Sequence, residues 1–221
     1  MTSISGTLRW PDAITHRMPD APRGVANPSD AELIRRTAAG DREAFAALYR
    51  RHHNTVYRFA RLMTGSDTLA EDVVQEVFLV LMRNAARYDA ERSALSTYLY
   101  GVARRHTRRR LAHEHRFVAM DDERQAVKRR TTVNDAGTEV ERLDEVLRLR
   151  RAIVSLPSRY REVLVLCDLH EVTYSDAAVA LGCAVGTVRS RLHRARQLLT
   201  RKMQPARDEA TARGSIMRCT V

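Results

Sequence analysis

Cysteine, proline, glycine and aromatic residues are all scarce in this chain of 221 residues, with three Cys, six Pro, nine Gly and only 5% Phe, Trp and Tyr. Cys167, Cys183 and Cys219 are odd in number, scattered, and form no C-x-x-C pair. That argues against a disulfide framework and predicts a reducing, cytoplasmic setting with the thiols as small packed side chains. No apolar run approaches the length of a membrane span, and the N-terminus lacks the short apolar core of a secretory signal, so a soluble chain without membrane insertion is expected. Sustained strand alternation and internal repeats are absent too. Ala, Leu, Val and Arg dominate, a composition that suits helices. The charge balance is far from even: 38 Lys and Arg stand against 27 Asp and Glu, for a net charge of +11. Such a balance favours a polyanionic partner, nucleic acid before membrane, because the basic helices carry few bulky apolar anchors.

Four of the six prolines (Pro11, Pro19, Pro22, Pro28) fall in the first 28 residues, where no periodicity is sustained, so residues 1–28 read as a disordered tail. Asp30 is suited to cap a first helix with Leu33, Ile34 and Thr37 inward, and Gly40 closes it. Asp41 caps a second, in which Phe45, Leu48, Tyr49, His52, Val56, Phe59, Ala60 and Met63 recur at three- and four-residue spacing. After the Gly65-Ser66-Asp67 break, a third helix runs from about Thr68 to Ala86, with Ala70, Val73, Val74, Val77, Phe78 and Leu81 inward. A polar loop over 88–93 leads to a fourth helix from Leu95 through Arg110. Apolar repetition fades and charge mixes over 116–139, which reads as a flexible linker. A second unit over 140–203 begins with a helix marked by Leu143, Val146, Leu147, Arg150 and Ile153; Pro157-Ser158 restarts the chain. Residues 204–221 are a C-terminal tail. The expected fold is all-α: an N-terminal helical bundle (29–115) and a small C-terminal domain joined by the linker.

The C-terminal unit carries the sharpest motif. Ala177, Ala178 and Leu181 share one helical face; Gly182 supplies the left-handed turn that ends it. A second helix is expected from Thr187, whose hydroxyl can cap it. Val188, Leu192, Ala195 and Leu199 then bury one face, and Arg189, Ser190, His193, Arg194 and Arg196 occupy the other. A buried seam behind a basic surface is the arrangement of a helix-turn-helix laid in a major groove. An ordinary amphipathic helix would share the basic face but not the Ala-x-x-Leu-Gly turn directly before it.

The fourth helix has a second nucleic-acid signal. Tyr98 and Tyr100 precede Arg104, Arg105, Arg108, Arg109 and Arg110, a pairing of rings that stack on bases with cations that neutralise phosphates. The same tyrosines fit a core role equally well from residue types alone. The third helix is acidic where the chain is basic. Asp67, Glu71, Asp72 and Glu76 suit the positive helix N-terminus, yet Gln75, Glu76 and Arg83 also form an outward stripe able to dock a protein.

Taken together, these segments resemble the bacterial extracytoplasmic-function sigma factors of the sigma-70 family. DAELIRRTAAGDREAFAALYRRHHNTVYRFA is similar to the family's opening helices, AEDVVQEVFLVLMRN to its polymerase-binding helix, and STYLYGVARRHTRRR to its promoter-melting helix. LPSRYREVLVLCDLHEVTYSDAAVALGCAVGTVRSRLHRARQLL is similar to its promoter-reading domain. The likeness covers residues 30–203. It implies an RNA polymerase sigma factor that docks on core RNA polymerase, on the clamp of the largest subunit through Asp72, Gln75, Glu76 and Arg83, and that also meets the flap. It further implies that Tyr88, Ser96, Thr97, Tyr98, Tyr100, Arg104, Arg105, Arg108 and Arg109 open the downstream (−10) promoter element. Thr187, Arg189, Ser190, His193, Arg194 and Arg196 would read the upstream (−35) element, and an anti-sigma protein would cover the exposed face of the third helix or the recognition helix. The chain departs from the family in two places: Tyr98 stands where tryptophan is common, and Arg105 where asparagine is frequent.

Two other readings compete. A helix-turn-helix regulator acting without core polymerase needs the C-terminal unit but leaves the acidic helix without a task. An enzyme or metal protein is suggested by His52-His53 and His113-Glu114-His115. However, residues two apart on a helix face different ways, and no Gly-rich phosphate loop or nucleophile–base set accompanies them. No catalytic residue, metal ligand or cofactor is therefore expected.

Overall fold

The structure, a computed structural model, describes residues 28–118 and 137–204, with backbone alone at 113–118 and 137–143. The expected tails (1–28 and 204–221) and linker (116–139) fall almost wholly outside the described residues, as do Cys219 and the side chains of Leu143, His113 and His115. Among the described residues there are eight α-helices and no strand: α1 Asp30–Ala38, α2 Arg42–Thr64, α3 Asp67–Asn84, α4 Leu95–Val118, α5 Gly137–Val154, α6 Ser158–Leu164, α7 Tyr174–Leu181 and α8 Val185–Met203. A 3-10 turn, Ala85–Arg87, follows α3, and a π-helical turn, Val165–Leu169, extends α6.

Short polar residues set the helix starts. The Asp41 carboxylate accepts from the amides of Glu43 (2.9 Å) and Ala44 (3.1 Å) at the head of α2. The Ala44 amide, with Arg36 next, holds that carboxyl below its usual range. Ser29 caps α1, one residue before the expected Asp30. Asp30 is thereby freed to face α2, where it binds Arg51 and accepts from or pairs with His52 Nε2 at 2.8 Å. His52 is thus a link between helices, and His53 stacks beside Tyr49 and Tyr57 instead.

The first four helices bury the faces their spacing predicts. Leu48, Val56, Phe59, Ala60 and Met63 of α2 meet Val73, Val74, Val77 and Leu81 of α3 and Leu99, Val102 and Ala103 of α4. In the second unit, Val146, Leu149 and Ile153 of α5 and Val163 and Leu164 of α6 both pack toward Val188, Leu192, Ala195 and Leu199 of α8. Leu147 and Arg150, two of the residues that mark this helix in the sequence, are half-buried and face the first unit, while Leu149 takes the core position. The two units press on each other through small residues. Gly101 of α4 lies where an added Cβ would sit 3.7 Å from the Ala180 carbonyl oxygen of α7. Gly65 lies where one would sit 3.0 Å from a Val154 methyl of α5. Arg161 of α6 donates to the Met63 carbonyl of α2, tying the units by a hydrogen bond.

Gly182 ends α7 at φ 63° and ψ 44°, the left-handed conformation the motif predicts. A Cβ there meets nothing within 4 Å, so conformation alone opposes a substitution. Gly182→Ala is expected to cost about 1–2 kcal/mol and lower Tm by roughly 2–8 °C in thermal unfolding, with the helical fold retained.

Candidate nucleic-acid interface

The candidate DNA-reading surface lies on α7 and α8. Thr173 caps α7, accepting from the Asp176 amide at 3.1 Å and donating to its carboxylate at 2.6 Å. α8 begins at Val185 rather than Thr187, with Ala184 at the N-cap and no side-chain cap bond. The extra half-turn comes from Ala184, whose extended backbone (φ −67°, ψ 149°) accepts from the Thr187 and Val188 amides through its carbonyl. Thr187 is therefore a first-turn residue, half-buried, and its carbonyl takes the Ser190 hydroxyl proton at 3.1 Å.

Arg189, Ser190, His193 and Arg194 are exposed on the outer face of α8. The Arg189 guanidinium lies 5.9 Å from the Tyr174 ring centroid, which steadies it without using its donors on oxygen. Arg194 donates to Gln197 at 3.1 Å, and Gln197 reaches His193 at 3.0 Å, so three polar side chains form one network on the outer face of α8. Arg196 differs. Both its Nε and Nη2 donate to the Asp168 carboxylate, at 2.9 and 2.7 Å, in a fork across to the π-helical turn. In the free chain Asp168 holds the planar donor pair that the expected base contact of Arg196 would use.

The second surface lies along α4. A groove of about 630 Å³ is lined by Arg92, Ser93, Thr97, Tyr98, Arg104, Arg105 and Arg108, and closed on its far side by Val179, Ala180 and Gly182. Tyr98 is half-buried and meets Tyr88 edge-on, ring centroids 5.5 Å apart; the Tyr88 hydroxyl donates to the Ser93 carbonyl at 2.7 Å and so shapes the preceding loop. Arg105, Arg108 and Arg109 are exposed, and Ser96 is half-buried. Arg104 is not free: its Nε donates to Glu162, a carboxylate 2% exposed, at 2.9 Å across the unit boundary.

Two residues expected on this surface face inward instead. Tyr100 is 3% exposed, with Phe59 at 5.4 Å and His170 at 5.3 Å between ring centroids. Burial raises its hydroxyl pKa well above the usual range, and while the two units are together no base can reach the ring. Thr97 is also buried, leaving only an edge on the groove. Both sit beneath the second unit, whose contact with α4 has no periodic signature in the sequence.

His170 joins the two units. Half-buried between Phe59 and Tyr100, it is held neutral by desolvation and by nearby Arg58, which together push its pKa down to about 3. The unfolded imidazole takes a proton near pH 6.5. Its contribution to stability is therefore complete above about pH 6.5 and is lost as pH falls toward the folded value. By pH 5 the loss is expected to reach about 1–2 kcal/mol, and His170→Gln should flatten the acid limb of a pH–stability profile.

The third surface is on α3. Asp72 pairs with Arg110 of α4 at 3.0 Å, and Glu76 stands 3.9 Å from His106, whose pKa burial lowers. The acidic stripe thus partly faces α4, while Gln75 and Arg83 face outward. Between them lie two residues that composition did not single out, Leu79 at 39% and Met82 at 50% exposure. Gln75, Leu79, Met82 and Arg83 follow one another at helical spacing, giving an apolar centre with a polar rim.

Sigma-70 region 2 matches residues 48–117 and Sigma-70, region 4 matches residues 147–199. The ECF RNA polymerase sigma factor SigM of Mycobacterium tuberculosis is 36% identical over 177 residues, covering 78% of this chain and 84% of that protein. The ECF RNA polymerase sigma-E factor of Haemophilus influenzae is 33% identical over 187 residues, covering 80% of this chain and 96% of its own length. The fold is similar to that of the sigma factor RpoE from Bartonella quintana, solved in complex with the anti-sigma factor NepR. That likeness has a TM-score of 0.60 at 23% identity over 74% of this chain and 98% of the other. Among the described residues no helix is long and apolar enough to cross a membrane.

Proposed function

Since the chain belongs to the extracytoplasmic-function RNA polymerase sigma factors, we propose that it initiates transcription through the three surfaces just described. It is an alternative sigma factor that binds core RNA polymerase and recognises promoters. Arg189, Ser190, His193 and Arg194 read the upstream element in the major groove, where guanidinium and imidazole donors meet base edges. Tyr98 and Tyr88, with Arg105, Arg108 and Arg109, hold the opened downstream element by stacking and phosphate neutralisation. The α3 face around Gln75, Leu79, Met82 and Arg83 docks on the clamp, with Asp72 and Glu76 at its edge. Residues 29–115 and 140–203 act as the two working units, joined by 116–139. The protein performs no chemistry of its own and works in the cytoplasm beside the polymerase. An anti-sigma protein covering α3 or α8 is the partner that restrains it.

The observation that carries this reading is the α3 face, because a regulator acting on DNA alone has no use for an apolar protein-docking strip. Co-fractionation with core polymerase tests it. A stable complex is expected at micromolar concentration, and a chain that binds promoter DNA yet never associates with core would instead be a helix-turn-helix regulator.

The contact between the units adds a condition. Glu162 occupies Arg104, and α7 closes the groove beside Tyr98, so promoter opening requires the units to part. Losing one partner of a buried pair costs about 3–5 kcal/mol when the other charge stays buried. Arg104 is already partly exposed and turns to solvent as the units separate, so that cost falls on the buried Glu162 carboxylate and opposes opening. Glu162→Gln is expected to raise the affinity of the free protein for single-stranded downstream-element DNA several-fold, read by fluorescence anisotropy.

A further inference from the structure

A second cavity, of about 430 Å³, lies where α2 meets α5, and its polar wall is made of arginines from both units. Arg58 and Arg61 come from α2; Arg150 and Arg151 come from α5. Leu62, Leu147, Val154 and Leu169 form an apolar wall. Asp67 is the one carboxylate among the described residues found paired with a lining arginine, through Arg61. Arg58 keeps its Nε buried with no hydrogen-bond partner. Arg150, partly desolvated and close to Arg61, has its pKa lowered by burial first and by that neighbouring charge second.

Lining one cavity with Arg58, Arg61 and Arg150, all partly buried, and with the exposed Arg151, against a single paired carboxylate, is unfavourable unless something answers the charge. Guanidinium offers planar paired donors suited to phosphate oxygens. The volume lies within the range of small-molecule sites and exceeds what a bare phosphate needs, and the apolar wall can take a planar body. We infer that this cavity binds an organic phosphate of nucleotide size, and that occupancy favours the closed pairing of the two units. The site exists only while α2 and α5 are together, so its ligand stabilises that state by mass action, shifting closed over open by a factor of 1 + [ligand]/Kd. The consequence for transcription rests on the promoter reading above; the binding itself does not.

Isothermal titration of the full chain with ATP, pyrophosphate and inorganic phosphate, each at constant ionic strength, tests the site. ATP is expected to bind at least tenfold more tightly than inorganic phosphate. The Arg58→Ala/Arg150→Ala variant is expected to lose at least tenfold in ATP affinity, and Arg58→Lys/Arg150→Lys should lose most of that too, because lysine keeps the charge without the planar fork. In small-angle scattering, ATP should lower the radius of gyration of the wild-type chain and leave the alanine variant unchanged. Circular dichroism establishes that the variants fold. Equal affinity for all three anions, or equal ATP affinity in wild type and folded variants, would overturn the inference as non-specific attraction to a basic protein. Neither readout involves polymerase, so failure here leaves the initiation reading standing, and failure of initiation leaves this site standing.

Discussion

Replacing Arg189 and Arg194 together by alanine is expected to abolish promoter-directed initiation while leaving association with core polymerase within about twofold of wild type. Both side chains are exposed on the outer face of α8, and neither is committed to a carboxylate. A paired contact to a base edge contributes about 1–3 kcal/mol of discrimination, so losing two removes roughly 2–6 kcal/mol, or about 30-fold to 10⁴-fold in promoter occupancy. Run-off transcription reads the first effect and native-gel association with core reads the second. A loss of only a few-fold, accompanied by a weaker salt dependence, would mean that both arginines touch phosphates rather than bases. Arg196→Ala should behave differently. It releases the Asp168 fork, so thermal stability falls along with promoter use.

The second large effect belongs to α3. Leu79→Asp combined with Met82→Asp is expected to weaken core binding by at least a hundredfold. A large apolar side chain exposed in the free protein contributes little to the fold but can anchor an interface, where truncation of an anchor costs about 2–4 kcal/mol. Adding a buried charge costs more still. Both residues are substantially solvent-exposed in the free chain, so Tm should move by only about 2–3 °C or less. Unchanged core affinity with unchanged Tm would remove α3 from the docking surface. Asp72→Asn is the milder comparison, since it also breaks the Arg110 pair within the unit.

Much of the architecture was legible in the spacing of apolar residues. Val188, Leu192, Ala195 and Leu199 recur along α8 as a buried seam, and Gly182 and Asp41 mark boundaries because left-handed backbone and amide-accepting carboxylates are chemically restrictive. Less was legible where two residues could do one job. Ser29 and Asp30 are both good caps, and the structure uses the first as cap and the second as a tether to α2. At α8 a threonine suited to capping was passed over for Ala184, whose backbone conformation alone starts the helix.

What periodicity could not reveal was the contact between units. Tyr100 carries the residue type of a base-stacking group but lies under His170, more than sixty positions away. Glu162 and Arg104 are 58 residues apart, and neither position repeats with a helix face that announces a partner. Leu79 and Met82 were missed for the opposite reason. Their spacing already sets them off the inward row of Ala70, Val73, Val74, Val77, Phe78 and Leu81, but a sequence does not tell an exposed apolar pair that docks a partner from one that is merely solvated.

The most direct measurement of the central claim is sequencing of transcripts made on genomic DNA by core polymerase with and without this protein. Discrete new start sites, each preceded by a shared downstream element and a shared upstream element at fixed spacing, are the predicted result. They should vanish with the Arg189→Ala/Arg194→Ala variant. A transcript set indistinguishable from that of core polymerase alone would contradict the account.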